Sequence, residues 1–167
     1  SGTMKVGRGN EKQPSVVYQS IVGYPRYGPR YGKKSVFVGE DMKARRGALN
    51  IFNPFDYGVI DNFRFMNELW KFGFEELKVN PKDHPVLLTE VPLNQKTNRE
   101  RMVNEMFETF EPPSVYIGSC PVLSLYAAGR VTGVVLDAGD TVTYTVPAFE
   151  GFSHPHAIER IDLGGKD

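Results

Sequence analysis

Two stretches of helical period, each followed by a short apolar run of strand length, constrain this chain more than any other feature. Residues 61–77 open at Asp61 or Asn62 and repeat Phe65, Leu69, Trp70 and Leu77, which predicts a helix with that side toward a core. Gly73 weakens its middle. The run Val86-Leu87-Leu88, within His84–Glu90, has the pattern of a buried strand. A second helix is predicted over 94–110, with Met102, Val103, Met106, Phe107 and Phe110 as core and Arg99, Glu100, Arg101, Glu105 and Glu108 facing water. Glu111-Pro112-Pro113 ends it, and Val115-Tyr116-Ile117 is the next strand. Pro121 then opens a short helix through Ala128 that Gly129 stops. The order strand, helix, strand, helix, strand implies right-handed crossovers and a largely parallel sheet with an antiparallel addition, so the fold class is α/β.

Flanking these elements, Val16-Val17-Tyr18 and Val36-Phe37-Val38 read as short strands around a Gly/Pro/Tyr loop from Gly23 to Gly32. Thr132–Asp137 and Thr141–Pro147 read as a β-hairpin. With 167 residues, 40% hydrophobic and 24% charged, the chain has the make-up of one soluble domain. Its apolar runs fall far short of the roughly 20 residues that cross a bilayer. No apolar stretch follows Lys5 and Arg8, so no secretory leader is expected. Cys120 is the single cysteine: no intramolecular disulfide can form, and a reducing compartment is expected. His154 and His156 have His-x-His spacing but no identifiable further ligands, so no metal site is expected.

Net charge is zero but unevenly spread. Residues 1–47 hold ten Lys/Arg against Glu11, Glu40 and Asp41, a balance of +7, and the remainder is −7. Tyr24, Tyr27 and Tyr31 lie among those basic residues, a mixture that suits single-stranded nucleic acid. The stronger expectation is a solvated loop that docks on an acidic surface, such as the −7 portion of another copy.

The chemistry centres on Leu136-Asp137-Ala138-Gly139-Asp140-Thr141-Val142. A carboxylate at a strand end, a glycine in a tight turn and a second carboxylate are what a nucleotide site needs. Turn N–H groups can cradle phosphate, and the acids can hold hydrated Mg²⁺ through water. Taken alone, such a stretch between strands is most often a hairpin turn.

The surrounding motifs are longer. The stretch Ser124-Leu125-Tyr126-Ala127-Ala128-Gly129-Arg130-Val131-Thr132-Gly133 continuing through Asp140 resembles the actin family's approach to its second phosphate loop. Thr145-Val146-Pro147, Glu150-Gly151, His84-Pro85-Val86-Leu87-Leu88-Thr89-Glu90, Met106-Phe107-Glu108-Thr109-Phe110, Ser20-Ile21-Val22-Gly23 and Pro155-His156-Ala157-Ile158 extend the resemblance over residues 16–167. It implies a partial actin-like (ribonuclease H-like) mixed sheet with flanking helices. Residues 1–15 are then a divergent segment, 16–129 the small-half scaffold with a basic loop at 24–35, and 130–167 the start of a second subdomain carrying the phosphate-loop hairpin.

Measured against the family, Met4–Gln13 stands where actins carry strand, first phosphate loop and strand, which supply an aspartate for the metal and a lysine for the phosphates. The chain stops before the large subdomain that supplies most adenosine contacts. The expectation is a shortened member in which a partner strand or a second copy covers the Val86–Leu88 edge, or the N-terminal segment packs in a non-actin position. The resemblance also sets Cys120 where the family has a glutamine and Tyr144 where it has a histidine, both of which help to place the attacking water. Thr141 replaces a loop glycine. A non-enzymatic structural or interaction subunit of a cytoskeletal or multiprotein assembly is therefore expected. Asp137, Gly139, Asp140, Thr141 and Val142 remain as a residual phosphate loop, and Arg26, Arg30, Tyr31, Lys33 and Lys34 form the contact loop. No cofactor is expected, the alternative being Mg·ATP held weakly or in a site completed by another chain. The implied partners are proteins, actin-family subunits or a second copy, with nucleic acid set behind them and no membrane. The implied place is the cytoplasmic cytoskeleton, with the nucleus as the alternative.

Overall fold

The computed structural model describes residues 2–28 and 35–167. In chain order the elements are β1 (Thr3–Val6), β2 (Val16–Gln19), β3 (Val22–Pro25), α1 (Glu40–Arg45), β4 (Leu49–Phe52), β5 (Phe55–Asp56), β6 (Val59–Ile60), α2 (Phe63–Leu77), β7 (Val86–Glu90), α3 (Lys96–Thr109), β8 (Val115–Ser119), α4 (Cys120–Ala127), β9 (Gly133–Ala138), β10 (Thr143–Phe149), β11 (Phe152–Ser153) and β12 (Glu159–Ile161). They divide into two compact units, Ser1–Asp56 with Ile60–Asn80, and Tyr57–Val59 with Pro81–Asp167. Residues 81–129 and 130–167 lie together in the second unit. Among the described residues no helix is long and apolar enough to cross a membrane.

In the first unit β1 and β2 pair antiparallel, from Thr3↔Gln19 to Val6↔Val16, so the N-terminal segment contributes a strand beside β2. Helix α2 starts at Asn62, whose Oδ1 accepts the Phe65 N–H at 3.2 Å, which decides between the two expected caps. It buries Phe63, Met66, Leu69, Trp70 and Gly73, while Phe65 and Leu77 are only half-buried. Gly73 is placed by packing. A Cβ there would stand 2.8 Å from the Tyr18 hydroxyl and 3.1 Å from Val6, so only glycine lets the α2 backbone approach β1 and β2 this closely. Tyr18 closes the same contact, its hydroxyl donating to the Leu69 carbonyl at 2.7 Å and its ring meeting Phe72 edge-on at 4.9 Å.

Strands β3 and β4 pair antiparallel above a core of Phe37, Met42 and Leu49, with Ile21 packed against it. The expected strand at Val36–Val38 is reduced to one bridge, Phe37 to Gly23. Gly39, at φ 66, turns the chain into α1 immediately afterwards, so no longer ladder can form.

The second unit holds a parallel pair, β7 and β8, in register from Val86↔Val115 to Glu90↔Ser119, with α3 as the crossover. The pairs β1–β2, β3–β4, β9–β10, β10–β11 and β10–β12 are antiparallel, which corrects the expectation of a largely parallel sheet. Parallel neighbours need a crossover of a dozen or more residues. Helix α3 supplies one between β7 and β8, whereas β9 to β12 follow one another through short turns. Among the described residues β8 is the strand that pairs with β7. On α3 the buried stripe is Met102 and Met106, continued by Phe110, and Phe107 is exposed against expectation. Residues four apart stack on one face, and position 107 lies one step off that row. Glu90, at the end of β7, takes both prongs of the Arg99 guanidinium, Nε at 2.9 Å and Nη2 at 2.6 Å, and a hydrogen bond from Asn94 at 3.0 Å. That bidentate pair fixes the start of α3 against the strand end.

Candidate functional site

The β9–β10 hairpin carries the predicted phosphate loop. Its ladder runs from Gly133↔Ala148 through Asp137↔Tyr144 to Ala138↔Thr143, leaving residues 139–142 as the turn. Alternation along β10 sends Val142, Tyr144 and Val146 inward, where they pack with Val91 and Ile158. Val142 is therefore a core residue whose side chain faces the interior. Its carbonyl accepts the Gly139 N–H at 3.0 Å and closes the turn. A Cβ on Gly139 would come within 2.8 Å of that carbonyl oxygen, so the turn depends on glycine.

Asp140 and Thr141, both half-buried, form the tip. A second layer that sequence reasoning missed holds them: the Gly139 carbonyl accepts the Gly165 N–H at 2.9 Å, and the Asp140 carbonyl accepts the Lys166 N–H at 2.8 Å. The Thr143 hydroxyl donates to the Leu163 carbonyl at 2.7 Å. Gly164 lies so close that a Cβ would fall 2.5 Å from Asp140 and Thr141 backbone atoms. The adjacent glycines Gly164-Gly165 were the available signal, because paired glycines mark backbone approaching backbone.

Asp137 gathers the two altered positions. Tyr144 faces it across the ladder, and burial pushes the phenol up from its ordinary range, with the Asp162 and Asp137 charges adding and Arg160 opposing. Cys120, the first residue of α4, is half-buried. Burial pushes its thiol up, a hydrogen bond with Thr89 pulls the other way, and the Asp137 charge adds to the rise. A thiol held protonated in this manner is a poor nucleophile.

The turn fits a metal-bound phosphate in part. Asp137 and Asp140 offer carboxylates that could hold Mg²⁺ through water, and the Asp140 and Thr141 N–H groups carry no hydrogen bond among the described residues. Against that, the Gly139 N–H is committed to Val142, and Thr141 adds a side chain at the tip. Among the described residues no group of three or more His, Cys, Asp or Glu comes together, and His154 and His156 are exposed. Of the contact-loop residues, Arg26 follows β3 and its Nε donates to the Leu49 carbonyl at 3.4 Å. Arg30, Tyr31, Lys33 and Lys34 lie outside the described residues.

A protein-family model described as Actin matches residues 1–167. The chain belongs to the actin family. Its mixed α/β architecture of small sheets and helices accords with part of the actin fold. The family match also takes in residues 1–15, ahead of the 16–167 over which the motifs resemble actin, and β1 gives that opening segment its place beside β2.

Proposed function

We propose that this actin-family chain is a structural or interaction subunit of a cytoskeletal or other multiprotein assembly and does not hydrolyse ATP. The observation that carries the reading is the surroundings of Asp137. Phosphoryl transfer depends on orienting the attacking water and stabilising charge, with little other chemistry for protein to do. Where the family resemblance puts a glutamine and a histidine for that task, this chain has a thiol hydrogen-bonded to Thr89 and a buried phenol. Neither is the amide or imidazole that the family resemblance assigns to holding that water.

The interaction role draws support from one face of the second unit. Register and alternation put Val134, Leu136, Phe149, Phe152 and Ile161 on the same side of the β9–β12 sheet, and all five are exposed. An apolar face of this kind supports contact with further protein.

A second reading, nucleotide bound without turnover, is favoured by the family match through residues 1–15. Gly2 and Lys5 lie in that segment, Lys5 on the exposed side of β1, and the family's opening loop uses a lysine for the phosphates. Calorimetric titration with Mg·ATP separates the two readings. Absence of binding supports the first, whereas saturable binding lost in both Lys5→Ala and Asp137→Ala establishes the second. Native mass measurement of the complex recovered with the chain tests the assembly role, which a solitary monomer under all conditions would contradict.

A further inference from the structure

The β3–β4 pair has an unused edge. Its register is Val22↔Phe52, Gly23↔Ile51, Tyr24↔Asn50 and Pro25↔Leu49, and one residue on the Arg26 N–H donates to the Ala48 carbonyl at 3.1 Å. Hydrogen-bonded and non-hydrogen-bonded pairs alternate in an antiparallel ladder. Tyr24–Asn50 and Val22–Phe52 are then bonded pairs, and Leu49 and Ile51 turn their backbone groups away from β3. Gly23 agrees with this phase, since its N–H and C=O both bond to Phe37, at 2.9 Å each, on the side away from β4. The outward groups of Leu49 are already used, the N–H by the Arg46 carbonyl and the C=O by Arg26. Ile51 keeps an outward N–H and C=O with no partner among the described residues.

An open groove of about 450 Å³ runs beside this edge, lined by Arg26, Arg46, Leu49, Asn50, Ile51 and Phe52. The lining contains two guanidinium groups and no acid, and neither arginine has a carboxylate partner among the described residues. We propose that β4 is a docking strand for an extended acidic peptide of a partner protein. The peptide adds beside β4, pairs with the Ile51 N–H and C=O, and lays carboxylates against Arg26 and Arg46. Strand addition draws affinity from main-chain bonds and specificity from flanking side chains, and guanidinium forks match carboxylates in geometry as well as charge. The +7 balance of residues 1–47 favours an acidic segment. A single-stranded nucleic acid fits less well, because it needs aromatic faces, and the Phe52 ring is already stacked on Phe65 at 4.9 Å. This strand edge is a surface other than the phosphate loop, and peptide docking there does not depend on whether the chain takes nucleotide.

The test is fluorescence anisotropy of the 167-residue chain with a labelled ten-residue peptide alternating Glu and Thr. Saturable binding is expected, weakened about tenfold when alternate peptide nitrogens are methylated, and weakened similarly in Arg46→Glu. Ile51→Pro removes the outward N–H without touching a bond to β3 and should act like the methylated peptide. Should that variant not fold, the methylated peptide on the unaltered chain decides the matter. Equal binding of methylated and unmethylated peptide would reduce the site to charge alone and overturn the proposal. So would the absence of any anisotropy change, or displacement of the peptide by a ten-nucleotide oligothymidylate at lower concentration than by unlabelled peptide.

Discussion

Tyr144 stands directly opposite Asp137 across the β9–β10 ladder, its ring buried between Val142 and Val146 in the core of the second unit. The side chain that sits where the actin resemblance puts a histidine is thus a packing residue. Tyr144→Phe keeps the ring and should change unfolding free energy by less than about 1 kcal/mol, whereas Tyr144→Ala should cost about 3–5 kcal/mol. Urea denaturation of the two variants checks this, and equal losses would mean that the hydroxyl carries the contribution.

Alkaline pH should destabilise the chain through Tyr18. Burial raises the pH at which its phenol ionises in the folded state, so its contribution is fully present below the ordinary tyrosine range, near 10, and is lost as pH rises toward the folded value. In that window the unfolded chain releases a proton that the folded chain retains, giving a loss of about 1.4 kcal/mol per pH unit. Tyr18→Phe should flatten the dependence while costing about 0.5–1.5 kcal/mol at neutral pH from the lost bond to the Leu69 carbonyl. Thermal melts across pH 9–11 read both effects.

Gly164→Ala should detach the 163–166 backbone from the phosphate loop, because the added Cβ meets backbone atoms of Asp140 and Thr141 at 2.5 Å, and backbone cannot give as a side chain can. A penalty of about 1–3 kcal/mol is expected. The specific sign is faster hydrogen exchange at the Gly165 and Lys166 amides, which donate to the loop carbonyls.

Arg99→Ala leaves the Glu90 carboxylate, 8% exposed, with Asn94 as its remaining hydrogen-bond donor among the described residues. Loss of about 1–3 kcal/mol is expected, and Arg99→Lys should recover only part of it, since an ammonium cannot reproduce the two-pronged geometry. Full recovery by lysine would show that charge alone is at work.

Where periodicity and turn chemistry act locally, the sequence was a sufficient guide. Helix α2 with its Asn62 cap, the β7 and β8 runs, and the β9–β10 hairpin fall within a few residues of expectation. What was not legible depended on packing between distant segments. Gly73 reads as a helix weakness until Tyr18 and Val6 are set against it, and Phe107 belongs by sequence to a stripe whose buried width stops at Met102, Met106 and Phe110. The Asp137 turn was visible. Its lock by Gly165 and Lys166 was not, because backbone hydrogen bonds across some 26 residues leave no trace except the glycines that permit them.

The central claim is that the chain does not turn over ATP, and phosphate release from Mg·ATP by the purified chain tests it most directly. The account predicts a rate indistinguishable from buffer, unchanged by Asp137→Ala. Steady release by the unaltered chain that Asp137→Ala abolishes would contradict it.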